Sequence, residues 1–257
     1  MAQILDVTSM ANPRVKGIVA LAMKKARAES GLFMVEGLQL VGFGVEAGWE
    51  LDTLVVRKGE RHAVLNMAVQ AAKSVLEVSA AVMAKVSKKD NPQGVVGVFK
   101  QQVLGLADVK VDGVWVVLEE VRDPGNLGTI IRTVDAVGAQ GVILVGTCTD
   151  VWSPETVRAT MGSIFHVPVV TTGVDEFLAW RKGVGGVMVG THLQADTDYR
   201  DVPPARPLLL CMGTEQSGLS EAMAAACDVR VKIPMRGRAE SLNLAMATGV
   251  MLYAIIP

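Results

Sequence analysis

Val114-Trp115-Val116-Val117-Leu118 leads within five residues into Asp123-Pro124-Gly125-Asn126-Leu127-Gly128-Thr129-Ile130-Ile131-Arg132. An unbroken apolar run of this length reads as a strand buried on both faces, which is the habit of a parallel sheet. Asp123-Pro124-Gly125 reads as a tight turn, and Asn126 as the N-cap of a helix running to Val137, with Gly138 at its C′ position. Leu127, Ile130, Ile131, Val134 and Val137 form its apolar stripe. Thr129 and Arg132 lie off that stripe, so Arg132 either faces a ligand or is solvated.

Outward from this unit the β–α alternation continues to the C-terminus. Strands are expected at 141–145, 167–171, 186–191, 208–212 and 229–233, and helices at 153–163, 174–181 and 217–226, with a last apolar helix closing the chain. Six strands separated by helical segments predict a doubly covered parallel sheet over residues 113–257. Upstream, residues 1–100 read as a smaller α/β unit. Asn12 caps a helix from Pro13 to about Glu29, with Lys16, Lys24, Lys25 and Arg27 on its polar side. Strands follow at 32–35, 51–56, 74–78 and 95–99, and helices at 37–47, 61–72 and 80–86, with Asn91-Pro92-Gln93-Gly94 as a turn. Residues 101–112 are expected to be a linker.

The 257 residues carry 25 Lys/Arg and 26 Asp/Glu, but the first hundred hold 13 basic against 9 acidic residues, or +4, and the remainder 12 against 17, or −5. That asymmetry is compatible with a polyanion partner for the first part, and also with an ordinary solvated surface. No apolar run reaches the roughly 18 residues of a membrane span. The N-terminus lacks a signal-peptide pattern, and Cys148, Cys211 and Cys227 have no CxxC spacing. A reduced, cytoplasmic protein without a zinc site is the simplest expectation.

Chemistry is expected where strands end. Cys211-Met212-Gly213-Thr214-Glu215-Gln216-Ser217-Gly218-Leu219-Ser220 sets two glycines around one carboxylate, which allows close backbone approach to a ligand. Ile233-Pro234-Met235-Arg236-Gly237-Arg238-Ala239-Glu240-Ser241-Leu242-Asn243 enters the last helix, whose first turn carries Ser241 and Asn243 where small charged ligands are held. Ser241 or Glu240 could equally be a plain cap. Arg158, on the helix before His166-Val167-Pro168, can meet phosphate. His62, His166 and His192 have no metal-spaced companions, and no GxGxxG or Gly-Lys-Ser/Thr loop follows a strand.

Taken in order, these segments resemble the SpoU-type RNA 2′-O-ribose methyltransferases of the SPOUT superfamily. The resemblance is carried by Asp123-Pro124-Gly125-Asn126 with Arg132, by Gly213-Thr214-Glu215 with Gly218-Leu219-Ser220, and by Ile233-Pro234-Met235 with Glu240-Ser241-Leu242-Asn243. Asn12-Pro13, Lys16, Phe33-Met34-Val35-Glu36-Gly37 and Pro92-Gln93-Gly94-Val95 are similar to the family's L30e-like RNA-binding domain. Thr214 departs from the Asn usual in the second motif.

The resemblance implies an α/β architecture: a C-terminal parallel-sheet SPOUT domain (113–257) with a deep trefoil knot, and an L30e-like substrate-binding domain (1–100). It implies S-adenosylmethionine held by Met212, Gly213, Glu215, Ile233, Met235, Ser241 and Leu242, and a homodimer whose site is completed near the knot. RNA contacts fall to Arg14, Lys16, Lys24 and Arg158.

A ribose 2′-OH is a poor nucleophile, so the site must stabilise alkoxide charge and align it with the methyl. Arg132 suits that electrostatic and positioning role, because its charged planar fork can grip the adjacent phosphate and leave positive charge near the 2′-oxygen. Asn126 would orient Arg132, Ser241 and Asn243 would bond substrate or Arg132, and Glu215 would fix the cofactor loop. No metal is required, since the sulfonium brings its own leaving group. Ribosomal RNA is the preferred substrate and tRNA the alternative. A non-catalytic RNA-binding protein would predict loss of Arg132 or Asn243, and both are present. An enzyme for a small anionic substrate would leave the basic first part unexplained.

Overall fold

The computed structural model describes residues 3–87, 92–192, 195–202, 205–214 and 217–256. The first hundred residues run β1 (Gln3–Val7), α1 (Pro13–Ala20), α2 (Lys24–Ser30), β2 (Leu32–Glu36), α3 (Leu38–Glu46), β3 (Leu51–Arg57), α4 (Ala63–Ala71), β4 (Ser74–Val78), α5 (Ala80–Ser87) and β5 (Val95–Lys100). There follow β6 (Val114–Glu119), α6 (Pro124–Ala136), β7 (Gly141–Val145), α7 (Pro154–Ala159), β8 (Val169–Thr172), α8 (Val174–Arg181), β9 (Val187–Thr191), β10 (Thr197–Asp198), β11 (Leu208–Met212), α9 (Glu221–Ala226), β12 (Val229–Lys232) and α10 (Leu244–Ile255). Two compact units result: residues 1–102 with 152–165, and residues 103–151 with 166–257.

The first unit is a five-stranded sheet in the order β1-β4-β3-β5-β2, parallel from β1 to β3 and antiparallel at β5 and β2. Asn12 caps α1, its side chain accepting from the Arg14 amide at 2.9 Å. The single helix expected over 13–29 is broken at residues 21–23. Leu21, Ala22 and Met23 are all good helix formers, so local propensity does not mark the break. Arg27, expected on the polar side, is buried, and its Nη1 donates to the Leu21 carbonyl at 2.8 Å. Of the turn expected at 91–94, Asn91 lies outside the described residues.

Residues 152–165 join this unit through an aromatic cluster. Trp152 and Phe165 pack with Phe33, Trp49 and Phe99 at ring-centroid distances of 4.7–6.3 Å, and Trp49 Nε1 donates to the Phe165 carbonyl at 3.0 Å. Gly44 on α3 makes room for it: a Cβ there would come within 2.6 Å of the Phe165 ring and 2.7 Å of Phe99.

The second unit is an all-parallel sheet of seven strands in the order β10-β12-β9-β11-β6-β7-β8. The two-residue edge strand β10 was not expected. Trp115, Val117, Ile143, Val145, Met188, Leu209 and Cys211 pack into one buried cluster with Phe177 of α8 and Met223 of α9. Leu106 and Val109, in the stretch read as a linker, are buried in the same cluster. Helices α6 and α10 pack on one another. Because every strand runs the same way, the C-terminal ends of β6, β9, β11 and β12 open on one edge of the sheet, where open α/β sheets bind ligands.

Candidate active site

Asp123, not Asn126, caps α6: its carboxylate accepts from the Asn126 amide at 2.6 Å, with Pro124 in the first turn. Proline there is preorganised for the helix and lacks an N–H that would otherwise go unpaired. Asn126 is therefore the third residue of the helix rather than its cap. At the start of α10 the cap is Asn243, not Ser241. Asn243 Oδ1 accepts from the amides of Ala245 at 3.0 Å and Met246 at 3.3 Å. Its Nδ2 donates to Asn126 Oδ1 at 2.9 Å. One side chain thus finishes the last helix and ties it to the helix behind β6.

Beside this link lies an open pocket of about 720 Å³, counting the space continuous with solvent. Six of the residues expected to hold a cofactor line it: Met212, Gly213, Ile233, Met235, Ser241 and Leu242. The seventh, Glu215, lies outside the described residues. Thr191 and His192 at the end of β9 also line the pocket and were not foreseen. The adjacency of β9 to both β11 and β12 brings them there, and nothing local to Thr191-His192 announces it. A neighbouring pocket is lined by Glu120, Arg122, Asp123, Asn126 and Ser217, and shares Thr214 and Leu244 with the first.

The loop between β11 and α9 is closed by its own backbone. Thr214 and Gly218 exchange two amide–carbonyl hydrogen bonds of 3.0 Å, and Thr214 Oγ1 accepts from the Ser217 amide at 3.0 Å and pairs with Ser217 Oγ at 2.7 Å. Threonine therefore supplies the side-chain acceptor that this turn requires. A Cβ on Gly213 would fall 2.0–2.2 Å from the backbone of Gly218 and Leu219. We expect Gly213→Ala to prise this loop open and weaken cofactor affinity at least about tenfold, or 1.4 kcal/mol, by calorimetry. An affinity equal to wild type would show that the loop takes no part.

Glu119, at the end of β6 and buried, accepts from the Ser220 amide at 2.7 Å and so holds the far end of the same loop. Glu120 follows it at φ 51°, a left-handed conformation unusual for a non-glycine residue. The buried thiol of Cys211, just before Met212, is pushed well above its usual range by burial, which makes it an inert part of the core rather than a nucleophile.

Arg132 is exposed on α6, makes no hydrogen bond or ion pair among the described residues, and lines neither pocket. Arg14 and Lys16 are exposed on α1, Lys24 on α2 and Arg158 on α7, all in the first unit. Among the described residues, no group of His, Cys, Asp and Glu is suited to a metal and no helix is long and apolar enough to cross a membrane.

Residues 113–253 match the SpoU rRNA Methylase family, and residues 12–97 the MRM3-like substrate binding domain. The chain belongs to the SpoU rRNA methylase family. The resemblance carried by the three strand-end motifs is therefore borne out, and so is the SpoU methyltransferase fold joined to an N-terminal substrate-binding domain. Among SpoU relatives, the chain is 34% identical over 247 residues to the 23S rRNA (uridine(2479)-2′-O)-methyltransferase of Streptomyces viridochromogenes, covering 92% of this chain and 86% of that one. It is 29% identical to the 23S rRNA (guanosine(2553)-2′-O)-methyltransferase RlmP of Bacillus subtilis, covering 96% and 98%. The crystal structure of an AdoMet-bound rRNA methyltransferase from Sinorhizobium meliloti superposes with a TM-score of 0.93 at 46% identity, over 99% of this chain and 98% of that one. The SpoU methyltransferase AviRb of Streptomyces viridochromogenes, in complex with AdoMet, gives a TM-score of 0.86 at 32% identity, covering 95% and 97%.

Proposed function

We infer that this SpoU-family chain transfers a methyl group from S-adenosylmethionine to a ribose 2′-OH of RNA, and that the RNA is ribosomal. The observation that carries this reading is the convergence of the 212–214, 233–235 and 241–242 segments on one pocket, with the Asn126–Asn243 hydrogen bond beside it. The pocket fits the cofactor. Its wall is largely apolar, as an adenine ring requires, and Gly213 lets the main chain of Gly218 and Leu219 pack against it where a side chain would block them. Met212, Gly213, Ile233, Met235, Ser241 and Leu242 would hold it, with Thr191 and His192 on the same wall. When bound, the cofactor supplies an electrophilic methyl with a neutral thioether as leaving group.

The protein's part is positioning and charge. Arg132 would grip the phosphate next to the target ribose through its planar fork and place positive charge near the 2′-oxygen as negative charge develops there. Asn126 and Asn243 fix the N-termini of α6 and α10 against each other, so that groups on α6 meet the pocket in one register. Asn126 acts on α10 rather than on Arg132 in this arrangement.

We read the chain as a homodimer. Met246 and Tyr253 of α10 stand 62% and 66% exposed on a helix of high apolar content, and an exposed Arg132 that lines neither pocket suits a site completed by a second copy. We also read α10 as the threaded element of a trefoil knot. The turn at Tyr199–Asp201 packs against it, and Arg206 Nη2 donates to the Ile255 carbonyl at 3.2 Å. An rRNA substrate and three free cysteines accord with a cytoplasmic enzyme.

Calorimetry with S-adenosylmethionine and S-adenosylhomocysteine, followed by methyl transfer to total RNA, tests the reading. Binding of both and transfer to RNA are expected. Absence of binding would remove the cofactor from the account, and binding without transfer would leave a non-catalytic RNA-binding protein.

A further inference from the structure

We propose that Cys211 and Cys227 close into a reversible disulfide when the chain meets hydrogen peroxide, and that this bond shuts the S-adenosylmethionine pocket. The proposal rests on the cofactor reading above and adds a control to it. The two thiols bracket the cofactor loop: Cys211 stands on β11 immediately before Met212, and Cys227 follows α9 as its C-cap. Between them lie Met212, Gly213, Thr214 and Gly218 of the pocket wall. Nothing in the methyl-transfer chemistry uses either sulfur.

The strand order brings the pair together. β9 runs between β11 and β12, and its Gly190 is the register partner of Cys211. Neighbouring strands stand about 4.8 Å apart, so a side chain at 190 would lie beside that of Cys211. Gly190 has none, and its place is taken: a Cβ there would fall 2.5 Å from Cys227 Sγ and 3.4 Å from Cys227 Cβ. Cys227 Sγ therefore sits next to Cys211, and the two thiols hydrogen-bond. Cys211 belongs to the buried cluster of the large sheet, and Cys227 packs against that cluster. Cys148, the third thiol, hydrogen-bonds instead to the Leu118 and Val145 carbonyls.

The pair is unequal, as stepwise oxidation requires. Cys227 is half-buried and within reach of a small oxidant, and the Cys211 S–H beside it holds its thiol below the usual range. Burial pushes Cys211 well above that range, so it is unreactive on its own. Around them Glu119 and Asp228 oppose ionisation of the thiols, while Arg181 and Arg230 favour it. The Cys227 thiolate attacks one oxygen of hydrogen peroxide; the O–O bond breaks, a sulfenic acid forms, and the departing hydroxide is protonated to water. Cys211 sulfur then displaces hydroxide from the sulfenic sulfur, and its own proton completes a second water as the S–S bond forms. The two thiols lose two electrons and the peroxide gains them. A dithiol reverses the bond by exchange.

The bond is felt at the cofactor loop. An S–S bond is about 2.0 Å long, far shorter than the separation of two hydrogen-bonded thiols. β11 is held by β9 on one side and β6 on the other, so the six-residue α9 is the element that yields. The stretch that leads into α9 has no slack. The Thr214–Gly218 bonds and the Ser220–Glu119 bond hold it, and Gly213 already lies against Gly218 and Leu219. A shift of α9 therefore reshapes the wall formed by Gly213, Thr214 and Gly218.

The test compares the full chain, fully reduced, with the same chain treated with hydrogen peroxide and freed of the excess. Alkylation of the unfolded chain with mass spectrometry finds the bond, and calorimetry reads S-adenosylmethionine affinity. After peroxide, Cys211 and Cys227 are expected to resist alkylation while Cys148 still reacts. Affinity should fall at least about tenfold and return with dithiothreitol. Cys227→Ser should bind as the reduced wild type does and keep that affinity after peroxide. Cys211→Ala removes the other sulfur without adding a hydroxyl to the core, and should behave the same way. Absence of the bond overturns the proposal, and so does a bond that leaves affinity unchanged. Affinity lost to peroxide in Cys227→Ser would overturn it too, because Met212 and Met235 in the pocket wall would then be the groups oxidised. Failure of the reduced protein to bind S-adenosylmethionine, by contrast, overturns the cofactor reading itself and this proposal with it.

Discussion

Arg132→Ala is expected to slow methyl transfer by about 10²–10³-fold, the range for losing one group that stabilises developing oxyanion charge. The affinity for S-adenosylmethionine should stay within about twofold of wild type, and Tm should not move. All three expectations follow from where the side chain stands. Arg132 is exposed on α6, makes no ion pair among the described residues and lines neither pocket beside the strand ends. Its removal opens no cavity and strips no cofactor contact, so a loss that appears only in transfer is the signature of transition-state work. Arg132→Lys keeps the charge but not the planar fork, and should recover only part of the rate. Full activity in Arg132→Ala would end the role assigned to it.

Asn243→Ser and Asn243→Ala should be equally poor at transfer yet differ in stability. Serine caps helices about as well as asparagine, whereas alanine forfeits the cap at a cost of about 1 kcal/mol. Neither can reach Asn126, which Asn243 Nδ2 now contacts at 2.9 Å. Loss of that link frees the N-termini of α6 and α10 from each other, and we expect a fall in transfer of about ten- to a hundredfold from misplacement alone. Asn126→Ala breaks the same link from the other side with the α10 cap intact, and should match Asn243→Ser in both rate and Tm. Thermal melts and single-turnover transfer assays on the three variants separate cap from link. Wild-type transfer in Asn126→Ala would reduce the link to a structural detail.

The large sheet was legible because its central strands are continuous apolar runs with clear stops. Gly141–Val145, Leu208–Met212 and helix Val174–Arg181 fall at the expected boundaries. The edges were harder. β10 is two residues long with no pattern, and β1 was not foreseen at all. The break at residues 21–23 is fixed in part by Arg27 reaching back to Leu21, a tertiary contact that helix propensity does not encode. Likewise the aromatic contacts of Trp152 and Phe165 with Phe33, Trp49 and Phe99 span over sixty residues of chain, so the membership of 152–165 in the first unit was invisible locally.

The pocket was more legible than its details. Strand-end loops carrying Met212, Gly213, Ile233, Met235, Ser241 and Leu242 converge as expected, because a parallel sheet collects them on one edge. The caps were misassigned at both helices of the site. For α6 the signal was present, since Asp123 followed by Pro124 is a strong N-cap pair. For α10, Ser241 and Asn243 are both good caps, and the choice rests on where β12 delivers the chain. Thr191 and His192 needed the strand order, which no single segment holds.

The most direct test of the central claim is to incubate the protein with tritium-methyl S-adenosylmethionine and unmodified 23S rRNA, digest the RNA to nucleosides and identify the labelled product. A single 2′-O-methylnucleoside, formed by wild type and all but absent with Arg132→Ala, is the predicted result. Label on a base, or no label in RNA beside demonstrable cofactor binding, would contradict it.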